Sequence, residues 1–130
     1  MGHPNEDLVR KGYDAFAAGD VAAMTELIDE NVVWHTPGRS SISGDQKGRD
    51  ATLQLFGRLA QETNGTFKLD VHQILANDEH AVVLADLSAE KDGKSLSGVH
   101  LVNVFHLKDG KLTEAWGSSD DQYALDEFWG

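Results

Sequence analysis

The segment from Gly98 to Asp120 constrains this chain most. Two apolar-rich runs flank Asp109-Gly110, a dipeptide that readily supplies the positive-φ positions of a two-residue hairpin turn. With that turn, Leu107 faces Leu112 and the ladder runs back from there. Asn103 is then expected to face Trp116, Leu101 to face Ser118, and Val99 to face Asp120. Side chains alternate across a strand, so one face carries Val99, Leu101, Asn103, Phe105, Trp116, Ser118 and Asp120. The other carries His100, Val102, Val104, His106, Ala115, Gly117 and Ser119. The first face is mostly large and apolar, with an amide near its centre and a carboxylate at one end. It suits the wall of a small-molecule pocket, and equally a core holding one satisfied asparagine.

The chain before this hairpin reads in order. After a frayed start over 1–5, apolar residues Leu8, Val9, Tyr13, Phe16 and Ala17 recur near helical spacing over 6–18. Gly19 stops that helix, and Asp20 caps a second over 21–29 that buries Met24, Leu27 and Ile28. A first strand follows over 32–36, ended by Pro37-Gly38. A polar loop, which is a lid candidate or simply solvated, leads to a third helix over 49–62 with Leu53, Phe56, Leu59 and Ala60 on one face. Three more strands run over 66–75, 80–90 and from Ser95 into the hairpin, turning at Asn77-Asp78 and Asp92-Gly93. In the tail over 121–130, Tyr123, Ala124, Leu125, Phe128 and Trp129 return to roughly helical spacing. An exposed aromatic tail is unfavourable, so it is expected to fold over the cavity mouth or onto a partner subunit.

The expected fold class is α+β: a curved antiparallel sheet covered on one face by three helices, leaving a conical cavity where the two diverge. The 130 residues make one domain with a real core. No cysteine is present, which excludes disulfides, thiol catalysis and cysteine-based metal sites. The net charge of −11 argues against nucleic acid or an anionic membrane as partner. No long apolar run marks a signal peptide or membrane span, so a cytoplasmic location is the default expectation. The histidines are scattered without ligand spacing, so neither a metal nor another cofactor is expected.

Four motifs together carry a family resemblance. They are Ala18-Gly19-Asp20, Trp34-His35-Thr36-Pro37-Gly38, Gly48-Arg49-Asp50 and Asp109-Gly110-Lys111-Leu112-Thr113-Glu114. In this order the chain resembles the SnoaL-like branch of the nuclear transport factor 2-like superfamily, which includes ketosteroid isomerases and polyketide cyclases. The closing stretch over 120–129 resembles uncharacterised actinobacterial-type members. The resemblance implies a cone-shaped (cystatin-like) fold and a cofactor-independent acid–base enzyme of isomerase, cyclase or lyase type acting on a small apolar carbonyl compound. The alternatives are a non-catalytic ligand-binding protein and a dimerisation module.

Carried over by position, the isomerase base falls on Thr36, which is no carboxylate. The isomerase tyrosine falls on Gly12, and Tyr13 lies one residue on, about 100° round the helix. The second oxyanion donor, a carboxylic acid held neutral in that enzyme, falls on Asn103, an amide that donates without a shifted pKa. The polyketide cyclase acid/base aspartate resembles Asp120, and its partner histidine resembles His106. Since the hairpin register puts these two on opposite faces, a bulge is needed for both to reach one cavity.

The candidate catalytic residues are therefore Asp120, Asn103, His35 and His106. Asp120 reads as a general base or as a solvated residue opening an acidic tail. Asn103 reads as a donor to a developing oxyanion, or as a buried amide satisfied by backbone. His35 reads as an acid/base group near neutral pH or, since it alternates to the face opposite Trp34, as a surface histidine. Candidate substrate-binding residues are Tyr13, Trp34, Thr36, Phe56, Leu101, Phe105, Trp116 and Ser118. Outward-facing Val102, Val104 and Ala115, with His100 and His106, point to a homodimer through the outer sheet face.

Overall fold

The computed structural model describes residues 3–130. Helix α1 spans Pro4–Ala18, so it begins inside the stretch expected to fray; residues 1 and 2 lie outside the described residues. Its start is fixed by a capping box. The His3 side chain accepts from the Asn5 amide, and Glu6 Oε2 accepts from the His3 amide at 2.6 Å. Gly19, at φ 69°, closes the helix in the left-handed conformation. Asp20 caps α2 (Val21–Leu27) by accepting from the Ala23 amide at 3.1 Å.

Strand β1 (Ile28–Thr36) starts where the second helix was expected to continue. Next come β2 (Gly44–Lys47) and α3 (Arg49–Glu62). Strands β3 (Lys68–Ala76), β4 (His80–Lys91), β5 (Lys94–Lys108) and β6 (Lys111–Ser119) follow, and α4 (Gln122–Trp129) ends the chain. The six strands lie in the order β2-β1-β6-β5-β4-β3. The α+β class and curved sheet stand as expected, with two additions: β2, and the tail as a fourth helix. Strands β1 and β6 pair in parallel, and the other pairings are antiparallel.

The inward face of the sheet carries Ala81, Val83, Ala85 and Leu87 from β4 and Phe105 and Leu107 from β5, all buried. Against them pack Val9, Met24, Leu27 and, more peripherally, Phe56 from the helices. A second cluster joins Leu87, Ala89 and Leu96 to Leu125, Phe128 and Trp129 of α4. No helix among the described residues is long and apolar enough to cross a membrane.

One residue overturns the expected register of the last hairpin. The turn itself forms as read: Asp109 and Gly110 take φ 52° and 76°, and Leu107 pairs with Leu112. The ladder then shifts, and His106 pairs with Glu114, leaving Thr113 as a β-bulge. Beyond it every β6 side chain changes face. Asn103 pairs with Gly117, Val104 with Trp116, and Leu101 with Ser119. Trp116 therefore points outward, while Ala115, expected on the outer face, is 0% exposed in the core.

Candidate functional site

The helices and the sheet enclose a cavity of about 170 Å³. The period of α1 puts Val9, Tyr13 and Phe16 on one stripe, and all three line it. Trp34 of β1 meets Phe56 edge-on at 4.9 Å and Phe105 at 5.6 Å between ring centroids. Leu101, Asn103, Thr36 and Ser118 complete the sequence-predicted residues in the lining; Ser118 sits exposed at its rim.

Polar groups gather at one place. Asn103 Nδ2 donates to Tyr13 Oη at 2.8 Å. The phenol proton is thereby free to donate into the cavity. Burial pushes the Tyr13 phenol well above its ordinary pKa, and the Asn103 hydrogen bond opposes that rise. Tyr13 is thus a neutral donor at physiological pH. The offset from the resemblance has a packing cause. A Cβ on Gly12 would come within 2.4 Å of Leu27 Cδ2, so α2 occupies that direction.

The Oδ1 of Asn103 turns towards Gly117, whose missing Cβ would lie 3.4 Å away. The Thr36 hydroxyl lies buried in the same lining without a hydrogen-bond partner; the Ser119 hydroxyl, outside the lining, is also buried and unpartnered. Sequence reasoning missed Gly117, because the unbulged register sends it outward. It also missed Ile42, Leu59 and Phe67 in the lining.

The remaining candidates stand elsewhere. Asp120, expected to look into the cavity, is exposed and outside the lining. Its Oδ1 accepts from the His100 backbone amide at 3.2 Å, a position that follows from the bulge. His106 faces outward, 4.8 Å from the Trp116 ring and 3.6 Å from Glu114 Oε1. The single bulge moves β6 and leaves β5 alternation intact, so it does not bring His106 inward. Trp116, expected in the pocket wall, stacks on His35 at 5.3 Å on the outer face.

His35 borders the cavity through its place in β1, but its ring is held on the outer side. Nε2 meets Glu114 Oε2 and Nδ1 meets Asp45 Oδ1, each at 2.7 Å. Glu114 foremost, then Asp45, raises its pKa above the ordinary imidazole value. Among the described residues, no carboxylate lines the cavity. Nor does any group of three or more His, Asp or Glu side chains form a cluster suited to a metal ion.

At the mouth α4 packs against the loop over 37–43. Leu125 and Trp129 reach into the lining. Asp126 Oδ1 accepts from the Arg39 amide at 3.0 Å, and Ser41 Oγ donates to the Trp129 carbonyl at 2.9 Å. Gly38, at φ 95°, lets the two segments meet. A Cβ there would fall 2.2 Å from Asp126 Oδ1.

The architecture is an α+β cone around an apolar cavity with one polar end. The chain belongs to the family of the SnoaL-like domain, whose model matches residues 9–115. It is similar to Bal32a from a soil-derived mobile gene cassette, with 45% identity and a TM-score of 0.93 over 97% of this chain and 96% of that one. A protein of unknown function with a cystatin-like fold from Xanthomonas campestris shares 27% identity, at a TM-score of 0.90, over 100% of this chain and 99% of its own. IdmH from Streptomyces antibioticus, described as a candidate polyketide cyclase, has the same fold. It shares 21% identity at a TM-score of 0.74, over 95% of this chain and 96% of its own.

Proposed function

We propose that this protein binds a small, apolar carbonyl compound and promotes its enolisation, as a cofactor-independent enzyme of the isomerase or cyclase type. The observation that carries the reading is the Tyr13–Asn103 pair: one hydrogen-bonded couple, 2.8 Å across, in a lining that is otherwise almost wholly apolar. A carbonyl oxygen placed against Tyr13 receives the phenol proton as a hydrogen bond, and Asn103 steadies that phenol. Such a donor is most effective when oxygen gains charge, as it does on enolisation, where solvent water takes the α-proton and Tyr13 holds the charge left on the oxygen. The likeness to a candidate polyketide cyclase fits this class of chemistry.

A non-catalytic binder is the second reading. It is favoured by the absence of a carboxylate base from the cavity lining among the described residues.

One experiment separates the two. α-Tetralone is incubated with the protein in deuterium oxide, and exchange of its α-protons is followed by NMR. Enolisation predicts exchange above the buffer rate, lost in Tyr13→Phe. Binding without added exchange supports the binder. Equal affinity for α-tetralone and its hydrocarbon analogue tetralin refutes a carbonyl-recognising pocket.

The outer sheet face is proposed as a homodimer surface. Leu84 and Val102 are exposed there, with Val104 and Trp116 beside them. Ala115 takes no part. Sedimentation giving a monomer at micromolar concentration overturns this proposal.

A further inference from the structure

We propose that the polar end of the cavity selects a hydroxy ketone, a ligand whose hydroxyl sits next to its carbonyl. This rests on the carbonyl-binding reading and adds a second point of recognition. Tyr13, Asn103 and Thr36 line the same cavity as Gly117, which has no side chain. Tyr13 Oη keeps its proton for donation, because it already accepts from Asn103 Nδ2 at 2.8 Å. Asn103 Oδ1 stands 3.4 Å from the site a Gly117 Cβ would fill. Pro37 Cδ lies 3.5 Å from that same site. Pro37 is the chain neighbour of Thr36, whose buried Oγ1 has no partner.

The donor and acceptor count points to the ligand. A lone carbonyl accepts from Tyr13 and leaves Asn103 Oδ1 and the Thr36 hydroxyl without use. A hydroxyl beside that carbonyl donates to Asn103 Oδ1 and accepts from Thr36 Oγ1–H. Tyr13 Oη, Asn103 Oδ1 and Thr36 Oγ1 are then all paired, as polar groups in an apolar lining should be. A carboxylate does not satisfy the set, since it brings two acceptors to Asn103 Oδ1 and no proton. Gly117 is the specificity-determining residue, because any side chain there covers the amide oxygen. Its φ lies outside the left-handed region, so the backbone does not demand glycine.

Binding is measured by calorimetry for tetralin, α-tetralone and the α-hydroxy derivative of α-tetralone. The wild-type protein, Gly117→Ala and Thr36→Val are compared. In the wild type the added hydroxyl should tighten binding by about fivefold or more, the worth of a well-made hydrogen bond. Both substitutions should bring the ratio of the two ketone affinities back towards one. The ratio is taken within each variant, so a general weakening of the pocket cancels.

Thr36→Val removes an unpaired buried hydroxyl without changing shape. It should melt no lower than wild type, and it decides the matter if Gly117→Ala folds poorly. A hydroxy ketone that binds wild type no better than α-tetralone, or an advantage that survives Thr36→Val, overturns the inference. Failure of the carbonyl reading itself looks different: tetralin then binds as well as α-tetralone.

Discussion

Asn103 Nδ2 and Tyr13 Oη meet at 2.8 Å although 90 residues separate them in the chain. The contact ties α1 to the middle of β5 and supplies the cavity's hydrogen-bonded pair. Asn103→Leu keeps the branched outline and removes the donor. It should change stability by about 1 kcal/mol in urea denaturation. The preference for α-tetralone over tetralin should fall about fivefold and vanish in Tyr13→Phe.

The bulge at Thr113 sets which β6 side chains face the cavity. Deleting Thr113 removes only the bulge, because Glu114 stays opposite His106 and Ala115 opposite Phe105. Trp116 and Ala115 should keep their faces at a cost of about 1–3 kcal/mol, whereas Thr113→Ala should cost under about 1 kcal/mol. Chemical denaturation followed by tryptophan fluorescence reads both.

His35 links the charged edge of the sheet to β6. Its folded-state pKa is raised by Glu114 first and Asp45 second. A raised imidazole stabilises the fold fully below its unfolded value and loses that contribution as pH rises through the folded value. The melting temperature should therefore fall as pH climbs past roughly 6.5, and His35→Gln should flatten that part of the profile.

Gly38 lets the loop meet α4 by having no side chain. Gly38→Ala combines a left-handed φ with an overlap on Asp126. It should cost about 1–3 kcal/mol. Amide exchange should speed up selectively along α4, with the sheet unaffected.

Much of the fold was legible because its signals are local. The Asp109-Gly110 turn, the Asp20 cap and the Gly19 stop each act within a few residues. Strand β2 (Gly44–Lys47) carries no apolar alternation, since it is an edge strand with exposed or half-buried residues throughout. It was therefore invisible to periodicity. The site depended on one extra residue in a strand. Nothing in Thr113 itself announces a bulge, and without it Asp120, Trp116 and Gly117 are all read onto the wrong face. Tyr13 was within reach, since it shares a helical stripe with Val9 and Phe16. Only the fold shows that this stripe ends against Asn103.

The two rims of the sheet differ from its apolar faces. One rim is β2, four residues long with Asp45, Gln46 and Lys47. The other, β3, opens with Lys68 and Asp70 and is broken by a register shift near His72. Short length, charge and a break in the ladder each deter strand addition from a neighbouring molecule. A concentrated solution of this protein should accordingly resist fibril growth.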